Sequence, residues 1–82
     1  MVGCGAPQPI TVVGTSWCGH TTNQRLTLLE NKVPYTFIDN DQARVPGVTG
    51  YPTIFCGNPS QPGVRSQAGE MSPDQIAAFC SQ

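Results

Sequence analysis

This sequence carries little charge, and what it has is not gathered into runs. Four Lys or Arg stand against five Asp or Glu in 82 residues, for a net charge of −1. No basic stretch could neutralise several phosphates, so nucleic acid is not an expected partner. Long apolar runs are missing too. The opening MVGCGAPQPITVV has no basic stretch and an apolar run of only about four residues. That predicts neither a secretory leader nor a membrane span, and leaves a cytoplasmic location as the default expectation. There is also no room for two domains: 82 residues, 38% of them hydrophobic, can build one small core.

The four cysteines lack the spacing that would explain them as a set. Cys4, Cys18, Cys56 and Cys80 are separated by 14, 38 and 24 positions. Neither a regular disulfide framework nor a local zinc-chelating pair is evident, and no metal site is expected. Cys56 and Cys80 read as buried core residues. Cys4 reads as exposed, either a distant resolving thiol or a source of adventitious intermolecular disulfides. Paired carboxylates are absent as well: Asp39, Asp41, Glu70 and Asp74 show no spacing suited to acid–base catalysis, and Asp74 reads as a first-turn charge on a helix.

What is present is an α/β pattern. Residues 1–8 read as a flexible N-terminal tail and residues 9–82 as one domain. ITVVG (10–14) is β-branched and bounded by Pro and Gly, which predicts a short buried strand. A helix is expected over 19–32, with Thr22, Leu26, Leu29 and Val33 on its buried face and Asn23, Gln24, Arg25 and Glu30 elsewhere. Strands are expected at 34–39 and 51–57, separated by a segment too broken by Pro and Gly for more than one helical turn. A short edge strand should follow in VRSQAG (64–69). Ser72-Pro73-Asp74-Gln75 then combines an N-cap Ser, a Pro at the first helical position and a Gln three residues after the cap, the signature of a helix start. Ile76, Phe79 and Cys80 should form that helix's buried face.

The chemistry concentrates in TSWCGHTT (15–22). A thiol attacks disulfides as its thiolate, and a cysteine where a helix begins meets unpaired N–H groups and the positive end of the helix dipole. Gly19 would leave the sulfur open, and Trp17 would form an apolar wall. A protonated His20 and the Thr21 hydroxyl would favour the sulfur anion. The plainer alternative makes Cys18 a small buried hydrophobe, Trp17 core and His20 solvated. A second motif is Tyr51-Pro52-Thr53. Proline is tolerated at the first residue of a strand, and a cis Tyr51–Pro52 bond would turn the Tyr51 backbone outward as an edge for an extended peptide.

T-S-W-C-G at 15–19, G-Y-P-T at 50–53 and the β-α-β-β-β-α order together resemble the thioredoxin superfamily, and the shortness of the chain resembles its glutaredoxin branch. The resemblance covers about residues 9–81. It implies a minimal thioredoxin-like α/β fold: a central mixed sheet flanked by helices, with the second helix reduced to a turn around 41–47. It also implies a thiol–disulfide oxidoreductase, monomeric, in which Cys18 is the nucleophile supported by Trp17, Gly19, His20 and Thr21. Tyr51, Pro52 and Thr53 would meet glutathione or a peptide, and Gly69 and Ser72 would hold glutathione's far carboxylate. Glutathione is then the co-substrate, and glutathionylated or disulfide-containing proteins are the partners.

The site departs from the two-thiol pattern C-x-x-C, because its fourth position is Thr21. One thiolate suffices to exchange with a glutathione mixed disulfide, so the expected chemistry is monothiol exchange. Two other readings follow from the same residues. C-G-H-T loosely resembles the C-G-F-S motif of monothiol glutaredoxins that hold a [2Fe-2S] cluster between two subunits. Alternatively, Thr21 replaces the resolving cysteine of a two-thiol enzyme, leaving a trapping variant or a binding module.

Overall fold

The computed structural model describes residues 10–81. The expected tail at 1–8, with Cys4, lies outside them. The elements are β1 (Ile10–Gly14), α1 (Gly19–Glu30), β2 (Tyr35–Asp39), β3 (Thr53–Phe55), β4 (Ser66–Ala68) and α2 (Pro73–Cys80). They form a small α/β structure around one mixed sheet of order β2-β1-β3-β4. β1 runs parallel to β2 and antiparallel to β3, and β4 is antiparallel to β3. The parallel pair requires a crossover, and α1 is that crossover. No helix stands between β2 and β3, where a turn had been expected.

Strand pairing decides which side chains share a face. Ile10 lies beside Tyr35, and Val12 beside both Phe37 and Ile54. On that face Ile10, Val12 and Ile54 cluster with Leu28 of α1, Met71, and Ile76 of α2, with Tyr35, Phe37 and Phe79 packed around them. Val12, Leu28 and Ile54 are wholly buried, each stabilising the fold by roughly 1.5–3 kcal/mol. Both described helices therefore pack on one face, which corrects the expectation of a sheet flanked by helices. The opposite face, Thr11, Val13, Thr53 and Phe55, is buried as well.

The helix ends are built from local chemistry. Ser72 caps α2: its hydroxyl accepts from the Gln75 N–H, and the Gln75 side chain accepts from the Ser72 N–H, with Pro73 in the first turn. At the other end of α1, Lys32 adopts a left-handed φ of 58°. Its N–H donates to the Leu29 carbonyl, and the Val33 N–H donates to Leu28. This is the Schellman arrangement, and it stops the helix two residues before the expected boundary at 32.

The buried face of α1 is not the one its leucines suggest. Thr21, Gln24 and Leu28 point inward, while Leu26 is 49% and Leu29 68% exposed. The physical reason is Gln24. Its side-chain amide donates to the Met71 carbonyl at 2.9 Å, and its carbonyl oxygen accepts the Met71 N–H at 2.7 Å. Two satisfied hydrogen bonds let a polar side chain be buried, and they rotate the helix toward residue 71.

Cys56 and Cys80 also differ from expectation. They are not separate core thiols but a disulfide, with Cα atoms 5.4 Å apart. Cys56 follows Ile54 by two positions and so emerges on the helix-bearing face, where Cys80 follows Ile76 by one turn of α2.

Candidate functional site

The chain leaves β1 at Gly14, makes a tight turn and enters α1 at Cys18. The turn is closed by the Cys18 N–H donating to the Thr15 carbonyl at 3.2 Å. Cys18 is the N-cap residue, with extended φ and ψ of −87° and 119°. N-caps are usually Ser, Thr, Asp or Asn, whose oxygen accepts from the first free N–H groups. Here a sulfur holds that place, and the first turn contains no acidic residue. The Cys18 side chain closes no cap hydrogen bond of ordinary geometry. The thiolate, however, is favoured first by the Thr21 backbone N–H, then by the Thr21 hydroxyl and the His20 N–H. Partial desolvation and the Glu70 carboxylate oppose them, and the net effect lowers the thiol below its ordinary 9.0.

Cys18 is half-buried and is the free thiol among the described residues. Trp17 beside it is 70% exposed. The plain alternative, with Trp17 in the core and Cys18 sealed beneath, is therefore not what the chain adopts. Trp17 is fixed from outside: its indole Nε1 donates to Asp41 Oδ2 at 2.7 Å, and its ring meets Tyr51 edge-on with centroids 6.0 Å apart. Tyr51 is itself anchored, its hydroxyl accepting from Asn40 Nδ2 at 2.8 Å. The Asn40 side-chain oxygen takes the Val45 N–H, and its own N–H reaches Gly14. Asn40 thus ties the loop after β2 to both β1 and Tyr51.

The Tyr51–Pro52 bond is cis. Pro52 and Thr53 are buried, and the Thr53 hydroxyl donates to the Gly50 carbonyl at 2.7 Å. The Trp17–Tyr51 contact brings the two sequence motifs together. Gly69 joins them by its N–H, which donates to the Pro52 carbonyl at 2.7 Å. Its φ of 106° is one that a side chain would strain.

The remaining expected residues take more structural roles. Gly19 has open space where a side chain would stand. His20 is mostly exposed, and its Nδ1 lies 2.5 Å from Glu70 Oε1, so any charge on the ring is matched by that carboxylate. Thr21 is buried against Gly14, and its hydroxyl makes no hydrogen bond of ordinary geometry. Its influence on Cys18 is that of a nearby O–H dipole rather than a formed bond. Ser72 spends its hydroxyl and N–H on the α2 capping box. With Glu70 beside it, the 69–72 segment fits an anionic carboxylate poorly.

Sequence reasoning missed the residues that hold the site together: Gln24, Asn40, and the partners of Trp17 and His20. Only Gln24 left a signal, three positions after Thr21 and four before Leu28. A cleft of about 460 Å³ lies next to Tyr51, lined among others by Asn40, Asp41, Arg44 and Val48. Cys18 is not among its lining residues. Among the described residues, no group of three or more His, Cys, Asp or Glu side chains could hold a metal, and no helix is long and apolar enough to cross a membrane.

Compared with protein-family models, with curated proteins and with solved structures, the chain matches none. What the fold and site define is a class by geometry: a small α/β structure presenting, among the described residues, one free cysteine at a helix N-cap, joined through Trp17 and Tyr51 to a cis-proline turn.

Proposed function

We propose that this chain is a glutaredoxin-like thiol–disulfide exchange protein of minimal thioredoxin-like fold, working through the single thiolate of Cys18. One observation carries the reading: a free, half-exposed cysteine occupies the N-cap of α1, where the Thr21 N–H lowers its pKa and no acidic side chain of the first turn competes. In the step proposed, the Cys18 thiolate attacks one sulfur of a disulfide. The S–S bond breaks, the departing sulfur leaves as a thiolate that takes a proton from water, and Cys18 is left in a mixed disulfide. With a glutathionylated protein as substrate, the adduct is Cys18–glutathione and a second glutathione thiol releases it. The Trp17–Tyr51 contact supports this reading by joining the Cys18 turn to the cis-proline turn.

Glu70 and the engaged Ser72 give glutathione's carboxylates little to bind, so the activity proposed depends on thiol chemistry at Cys18. The cytoplasmic location also stays within the proposal, and it meets one opposing observation. Cys56–Cys80 is formed, and such bonds are uncommon in a reducing cytosol.

The test is incubation with oxidised glutathione followed by peptide mass spectrometry, with Cys18→Ser as the control. Addition of one glutathionyl group at Cys18, absent in Cys18→Ser, supports the reading. Unchanged turnover of a glutathione mixed disulfide by Cys18→Ser overturns it.

A second reading is favoured by one specific observation, the buried and unpartnered Thr21 hydroxyl. Such a group costs stability where it sits. A cysteine there would remove that cost and complete C-x-x-C, as expected if the chain is a trapping variant of a two-thiol enzyme.

A further inference from the structure

Residues 69–72 cross from β4 to α2 as an extended strap beside the Cys18 site, and three separate contacts hold them. The Gly69 N–H donates to Pro52. The Glu70 carboxylate meets His20 in the first turn of α1. Met71 is gripped at both its backbone N–H and its carbonyl by Gln24, which is only 1% exposed. The Glu70–His20 contact is exposed, whereas the Gln24 grip is buried, so solvent does not compete for its hydrogen bonds. It also lies one turn along α1 from His20, on the helix that carries Cys18.

We infer that Gln24 is a positioning residue for the Cys18 site: its buried side-chain amide fixes the strap, and the strap fixes the Glu70–His20 pair at the mouth of the thiol. The inference deepens the exchange reading and rests on Cys18 being its reactive thiol. Loss of the grip frees the strap, and Glu70 moves away with it. The charged groups around Cys18 are few: His20 from α1, Glu70 from the strap, and Asp41 from the loop after β2, which is tied to Trp17. The Glu70 carboxylate opposes the thiolate. Releasing it therefore makes Cys18 more reactive even as the protein becomes less stable, the opposite of what general loosening of the helix start would do.

The experiment is the pH dependence of iodoacetamide alkylation, followed by mass spectrometry on the Cys18 peptide, in wild type, Gln24→Leu, Glu70→Gln and the double variant. Each single variant should raise the rate near neutral pH about twofold, the size of one solvent-screened charge. The double variant should be no faster than either. Additive effects, or an unchanged profile in Gln24→Leu while Glu70→Gln shifts, would overturn the inference. Should Gln24→Leu fail to fold, Gln24→Asn, too short to keep both bonds, must move the profile in the same direction by less. Hydrogen exchange on the wild type decides independently: a Met71 amide that exchanges as fast as an exposed one contradicts the grip. Alkylation involves no disulfide, so failure of glutathione exchange at Cys18 would remove the exchange reading and leave this coupling measurable.

Discussion

Replacing both Cys56 and Cys80 by alanine removes the disulfide that cross-links α2 to the residue after β3. The bond spans 24 positions. Cross-linking a loop of that length lowers the entropy of the unfolded chain by an amount worth about 3.5 kcal/mol at 25 °C. A domain of this size is stable by only about 4–12 kcal/mol. The loss is thus a large share of the total, and the remaining grip on α2 is modest: Ile76 in the core, Phe79 packed against it, and the capping box. At about 4–8 °C per kcal/mol for a small domain, the melting temperature should fall by roughly 14–28 °C. Urea unfolding followed by circular dichroism measures this directly. The transition midpoint should fall while the m value rises, because the unfolded chain is no longer held compact. The site itself should be spared. Thr11 stands opposite Phe55 in the β1–β3 pair, which puts Cys56 at the end where β1 begins, whereas Cys18 follows the end where β1 stops. Cys18 should keep its alkylation rate below the unfolding transition. A loss of less than about 1 kcal/mol would refute the unfolded-state account of this bond.

Further outcomes follow from the same geometry. A Cβ at Gly14 would lie 2.4 Å from the Thr21 hydroxyl oxygen and 2.5 Å from its methyl. Gly14→Ala should therefore cost about 1–3 kcal/mol in urea unfolding, and Thr21→Ala should recover part of that loss in the double variant. Thr21→Cys should keep or raise stability and give turnover of a protein disulfide with a dithiol reductant; a folded variant with no gain would count against the two-thiol parent. For pH, the Cys18 thiol is lowered from 9.0 in the folded chain. Its contribution to stability is therefore absent below the lowered pKa, grows as pH rises toward 9.0, and is full above it. Melting temperatures of wild type relative to Cys18→Ser should diverge in wild type's favour over that alkaline window, and parallel curves would remove the thiolate cap.

Much of the fold was legible in the sequence where one local rule decides. β1 could be read to the residue, since ITVVG is wholly buried between two neighbouring strands, and the start of α2 follows from capping chemistry confined to four residues. The face of α1 was not legible. Its leucines mark one side, but a pair of hydrogen bonds to Met71, 47 positions away, turns another side inward. The disulfide was hidden for a similar reason. Cys56 and Cys80 could each be placed on an apolar face, and only strand register and the packing of α2 show that the two faces meet. In the site, Cys18 at a helix start was readable from spacing, whereas the partners of Trp17 and His20 lie 24 and 50 positions away and leave no local trace.

The central claim is that Cys18 is a working nucleophile, and one measurement meets it directly. Wild-type protein, with Cys56–Cys80 intact, is incubated with oxidised glutathione at neutral pH and mapped by peptide mass spectrometry. One glutathionyl group on the Cys18 peptide, gained faster than on any other cysteine and absent from Cys18→Ser, is the predicted result. No adduct at Cys18 while the protein stays folded would contradict it.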